Sequence, residues 1–155
     1  LFRSSMTIKE RLESDGVDAL KSKNKVKLGV IRMVRSQIKN SEIAKRRDLT
    51  DDETIDVLVS AVKARREALA FANEGQREDL AQEAQQDIEI LEAYLPEAMP
   101  EDELRSIVDN AIRDSGASGI KDMGQVMGKV MPQVKGKADG KQINVMVRSL
   151  LQDLS

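Results

Sequence analysis

Apolar residues recur every three or four positions along almost the whole chain, the period of amphipathic helices, and no stretch alternates as a strand would. Thr7-Ile8-Lys9-Glu10 is a Thr-x-x-Glu capping box that opens a first helix, which Gly16 is expected to interrupt or weaken. Leu28, Ile31, Val34 and Ile38 mark a second helix from about Lys23 to Lys45. Thr50-Asp51-Asp52-Glu53 is another capping box, with acids where the helix dipole favours them. Its helix carries Ile55, Leu58, Val59, Val62 and Leu69 and stops near Asn73-Glu74-Gly75. Leu80, Ala84, Ile88, Leu91 and Leu95 place a fourth helix from about Arg77 to Leu95.

Two prolines, Pro96 and Pro100, then close one helix and open the next, because proline lacks an amide donor yet suits a first helical turn. They predict a boundary between a helical N-terminal domain, residues 6–95, and a small three-helix C-terminal domain, residues 101–155. The fifth helix runs from about Glu101 to Asp114 on Leu104, Ile107, Val108, Ala111 and Ile112, ending at Ser115-Gly116. Beyond it a quasi-repeat, Asp122-x-x-Gln125 and Asp139-x-x-Gln142, resembles capping boxes with Asp as the cap. The first should open a helix over 123–131 that Pro132 terminates. The second should open one on Ile143, Met146, Val147, Leu150, Leu151 and Leu154. The fold class is all-α.

Composition sharpens this. Of 155 residues, 40% are hydrophobic and 34% charged, with two Phe, one Tyr and no Trp, a mixture typical of helical proteins. No apolar run reaches membrane-spanning length, and residues 1–5 read as a cloning remnant or the end of a longer precursor. The expected setting is cytoplasmic. With no His and no Cys, the commonest general base and the strongest nucleophile are absent. Ser115, Ser118 and Ser149 sit in no recognisable nucleophile motif, and there is no phosphate-binding glycine loop. No catalytic residue, cofactor or metal site is expected. Glu89, Glu92 and Glu97 read as the solvated side of a helix.

The net charge of −2 conceals a partition. Residues 21–47 hold ten basic groups against Glu42 alone, net +9; residues 48–114 hold six basic and nineteen acidic groups, net −13. Residues 115–155 carry six basic and three acidic groups. Lys23, Lys27, Arg35 and Lys39 are candidates to line one side of the second helix, facing an external anion or neutralised by the acidic segment. The stretch 128–141, GKVMPQVKGKADGK, adds a lysine-rich helix connection. Lys129, Lys135, Lys137, Lys141 and Arg148, with Lys121 nearby, form a candidate phosphate-facing surface, with helix starts at Asp122 and Asp139 adding amides. The alternative is a solvated connection. Met123, Met127 and Met131 read as core packing, Gly124 and Gly128 as a place for close helix approach, and Gly136 and Gly140 as turn residues.

The run Asp122-Met123-Gly124-Gln125-Val126-Met127-Gly128-Lys129-Val130-Met131, followed by Lys135-Gly136-Lys137-Ala138-Asp139-Gly140, resembles the signature of the GatB/YqeY family. Lys27 to Val34 and Leu91 to Glu97 resemble its first unit, and the likeness is closest to stand-alone YqeY-like proteins. The resemblance implies a relation to the tail domain of a tRNA amidotransferase B subunit, and hence tRNA or other structured RNA as partner. It also brings a family label of carbon–nitrogen ligase activity with glutamine as amide donor. The kinase and glutaminase centres of that enzyme lie in other domains, which this chain does not resemble. The function expected is an RNA-binding module connected with amidation or translation; the alternative is a helical adaptor docking an enzyme subunit. Few aromatics mean that recognition would rest on shape and charge.

Overall fold

A computed structural model describes residues 5–154, so the expectation for residues 1–5 falls almost entirely outside the described chain. Among the described residues there are seven α-helices and no strand. They group into two compact units, Leu1–Leu95 and Pro96–Ser155.

The first unit holds α1 (Ile8–Lys21), α2 (Lys25–Lys45), α3 (Asp51–Glu74) and α4 (Glu78–Glu92). Both capping boxes form: the Thr7 and Thr50 side chains each accept from the amide three residues on, and Glu10 and Glu53 return the bond. Leu12, Ile31, Val34, Leu58, Ile88 and Leu91 are the centre of the core. Gly16 does not interrupt α1. It is buried, and a Cβ built on it would lie 3.3 Å from Cγ2 of Ile31. The missing side chain is what lets α1 and α2 pack closely, and burial on that face offsets glycine's poor helix propensity.

Tyr94 follows α4 and closes the unit. Its hydroxyl donates to Oδ2 of Asp15 at 2.5 Å, both side chains being buried. The Arg11 guanidinium stands 5.1 Å from the Tyr94 ring centre and donates to the Ala93 carbonyl at 3.0 Å. Each inter-helix turn of this unit uses a left-handed residue other than glycine: Lys23 (φ 61°), Arg46 (φ 58°) and Gln76 (φ 54°). Gly75, one position earlier, has an ordinary φ of −82°.

The second unit holds α5 (Glu101–Ser115), a single 3-10 turn (Ile120–Asp122), α6 (Met123–Val134) and α7 (Gly140–Gln152). Its core is Leu104, Val108, Val126, Val130, Val134, Ile143, Val147 and Leu151. α5 starts after Pro100 with three acids in its first turn and ends at Gly116 in the left-handed region. Pro132 does not terminate α6, which continues to Val134. Proline removes one amide bond, but so near the helix end few bonds depend on it, and burial of Val134 carries the last turn. The helix stops at Lys135, with Gly136 left-handed (φ 74°) as expected of a turn glycine. The methionines flank the core and do not form it. The buried stripe is Val126, Val130 and Val134, with Met123 and Met127 packed against it and Met131 exposed. Gly124 and Gly128 face open space, so no helix of this unit approaches there.

Candidate nucleic-acid interface

Two basic surfaces are candidates, one in each unit. In the second unit, Lys129 is exposed on α6, Lys135 and Lys137 flank Gly136, and Lys141 and Arg148 are exposed on α7. The Met99 amide donates to the Lys137 carbonyl at 2.8 Å, which pins the connection to the residues before α5. Lys141 and Arg148 are seven residues apart, so they share one face of α7, turned away from Ile143 and Val147. Lys135 is half-buried; among the described residues Lys129, Lys137, Lys141 and Arg148 make no ion pair. The two helix starts, however, are not open to an anion. Ahead of α6, the 3-10 turn uses the Asp122 amide on the Gly119 carbonyl and the Met123 amide on Ile120. The Asp122 carboxylate does not cap α6; it accepts from the Ser118 amide at 2.9 Å, which holds it below its ordinary pKa. At α7 the Asp139 carboxylate takes the Lys141 amide at 3.1 Å. The lysine side chains, without the helix amides, make up this surface.

In the first unit the question is whether acids neutralise the segment 21–47. Glu53 takes a bidentate pair from Arg47 (2.7 and 2.9 Å) and a third contact from Lys45 at 3.1 Å. The Arg47 bonds, with the Thr50 amide, hold Glu53 well below the usual carboxylate range. Glu42 pairs with Lys9 of α1 at 2.5 Å and accepts the Leu49 amide at 2.9 Å, and both bonds lower its pKa. The Lys9 ammonium is raised in turn by Glu42. Arg65–Asp87, Arg66–Glu92 and Arg77–Asp79 all pair within the acidic segment itself. Among the described residues, then, only Lys45 and Arg47 of the ten basic groups in 21–47 are ion-paired. Among the described residues, neutralisation of this segment by the acid-rich one is confined to Glu53 at the α2–α3 turn.

The cations also fall differently from the expected grouping. Lys23 lies in the turn before α2, and Lys27 is half-buried on the same side as Ile31 and Val34. The outward stripe of α2 is Lys25, Arg32 and Lys39, all exposed, with Arg35 beside it. The seven-residue spacing that finds this stripe was present in the sequence, one heptad apart each time. A cleft of about 690 Å³ opens where Arg35 and Lys39 meet Lys9, Glu42 and the start of α3. Acids and bases alternate around it, and its central Lys9–Glu42 pair is satisfied internally. Among the described residues no cluster of His, Cys, Asp or Glu is arranged to hold a metal, and no helix is long and apolar enough to cross a membrane.

The chain as a whole is similar to known proteins. A protein of Pyrenophora tritici-repentis named "Altered inheritance of mitochondria protein 41, mitochondrial" is 28% identical over 130 residues, covering 83% of this chain and 71% of that protein. A protein of the same name from Candida glabrata is 33% identical over 88 residues, 56% of this chain and 48% of its own length. Both names say mitochondrial, and neither supports the cytoplasmic setting expected above. The family described as Yqey-like protein matches residues 9–151. The chain belongs to the YqeY-like family.

Proposed function

We propose that the chain is an RNA-binding module, with tRNA as its foremost ligand, that works alongside tRNA-dependent amidation or translation and leaves the chemistry to another protein. The observation that carries this reading is the unneutralised basic segment: eight of its ten cations make no ion pair among the described residues, although an acid-rich segment follows directly. A single-sign field of this kind raises the local concentration of a polyanion. Lys129, Lys135, Lys137, Lys141 and Arg148 supply a second phosphate-contacting surface. The family's likeness to an amidotransferase tail domain names tRNA among polyanions. The relatives' names favour a mitochondrial over a cytoplasmic compartment, and cell fractionation with an antibody decides between the two.

Retention of the purified chain on immobilised tRNA tests the reading. It should fall steeply as salt rises, each phosphate contact adding about 0.7–0.9 to the slope of log affinity against log salt. Charge reversal at Lys135, Lys137 and Lys141 should weaken and flatten that dependence. Salt-independent retention, or none, would sink the proposal.

A second reading, an adaptor docking an enzyme subunit, is favoured by one observation: Phe71 is 74% exposed and Leu20 57%. A protein complex that survives high salt and is lost on Phe71→Ser would support it over RNA binding. We further propose that residues 6–95 and 101–155 fold as independent domains. Limited proteolysis should then cut first between Pro96 and Pro100 and leave a stable fragment ending near Leu95; first cuts within 123–155 would contradict it.

A further inference from the structure

We infer that the outward face of α2 is a docking strip for the phosphate backbone of double-stranded RNA, with Lys25, Arg32 and Lys39 as its contacts. This deepens the RNA-binding reading and rests on it. Residues seven apart on a helix lie about 10.5 Å apart along the axis and drift by only about 20° per step. The three cations therefore form one straight row spanning about 21 Å. Between them on the same strip stand Gly29 and Ser36, both exposed, and a Cβ on Gly29 would meet nothing within 4 Å. Small residues between long cations let a ribose–phosphate chain lie close to the helix. The one acid of α2, Glu42, is turned into its bonds with Lys9 and Leu49, and of the strip only Lys39 feels its charge.

Charge and the absence of aromatics select the form of RNA. The segment Lys25–Lys45 has no aromatic residue, so the strip has no platform on which an unpaired base can stack. A single strand would lose freedom on binding a rigid row of cations without that compensation. A duplex presents its phosphates already ordered and is read through shape and backbone. An anionic lipid surface fits less well, because Val30, Ile31, Val34 and Ile38 of α2 are buried in the core and cannot insert.

The test measures full-length chain against a short RNA duplex and against one of its strands, by fluorescence anisotropy across a salt series. Lys25→Glu, Arg32→Glu and Lys39→Glu are combined in one variant, with Lys129→Glu, Lys137→Glu and Lys141→Glu in a second, and circular dichroism confirms the helical content of both. At about 0.1 M salt each released counterion is worth roughly an eightfold change in affinity. The α2 variant should lose duplex affinity by roughly 500-fold, and its salt slope should fall by about 2.7. The parent chain should prefer duplex to single strand. If RNA binds but duplex affinity and slope are unchanged in the α2 variant, or the single strand binds as tightly, the inference fails and the RNA-binding reading stands. If no RNA binds, both fail. Binding of the parent chain to anionic phospholipid vesicles in place of RNA, lost in the α2 variant, overturns the inference in favour of a lipid surface.

Discussion

Tyr94→Phe isolates the bond that closes the first unit. Phenylalanine keeps the buried ring and its contact with Arg11 and deletes only the hydroxyl that donates to Asp15 at 2.5 Å. Tyr94 is 3% exposed and Asp15 5%, so water cannot replace the lost donor without opening the packing. A buried acceptor left short of a donor costs about 1–3 kcal/mol. With a urea dependence of about 1–2 kcal/mol per molar, a loss of 2 kcal/mol lowers the unfolding midpoint by about 1–2 M. Circular dichroism in a urea series reads that shift. Asp15→Ala and the double variant complete a cycle whose coupling should exceed about 1 kcal/mol. A Tyr94→Phe variant within about 0.5 kcal/mol of the parent, or strictly additive losses, would refute the assignment.

Gly16→Val should destabilise by about 1–3 kcal/mol, because its Cβ begins 3.3 Å from Ile31 and two methyls must still be placed; denaturant unfolding reads the loss. Glu42 and Glu53 both have folded pKa values below their ordinary 4.5, so their stabilisation is present above about pH 4.5 and is lost as pH falls through the lowered values. Acid unfolding of Glu53→Gln should therefore be less steep than that of the parent, and an unchanged profile would contradict the Arg47–Glu53 account. Purified chain supplied with ATP, magnesium, glutamine and misacylated tRNA should form no amidated product. Turnover abolished by a single substitution in this chain would overturn the non-catalytic reading.

The helices were legible because their signals are local. Thr7–Glu10 and Thr50–Glu53 specify helix starts within four residues, and the core positions recur within each helix. What escaped depends on which partner and which burial the fold assigns, near or far along the chain. Gly16 looks like a helix breaker until Ile31 is placed against it. Asp122 looks like a cap until Ser118 claims its carboxylate. Pro132 looks like a stop until Val134 is seen to be buried. For the basic surface, sign and density were visible in the sequence; of Lys23, Lys27, Arg35 and Lys39, three are exposed, Lys27 is half-buried and Lys23 lies in the turn before α2. Only the direction of the α2 core face separates Lys27, turned inward, from Lys25, Arg32 and Lys39.

The three left-handed turn residues of the first unit bear on how far this chain is from its own best stability. Glycine holds a positive φ without the clash that a Cβ brings, a relief of about 1–2 kcal/mol that its looser unfolded chain only partly cancels. At Lys23, Arg46 and Gln76 the chain nevertheless keeps long polar side chains. Two of the three are cations, placed at either end of α2, where they extend its field beyond the helix itself. Adaptation toward heat tolerance alone would drift to glycine at all three turns. Under the RNA-binding proposal, that change is free at Gln76 and constrained at Lys23 and Arg46, which would set thermal robustness against ligand grip at these two corners of the fold.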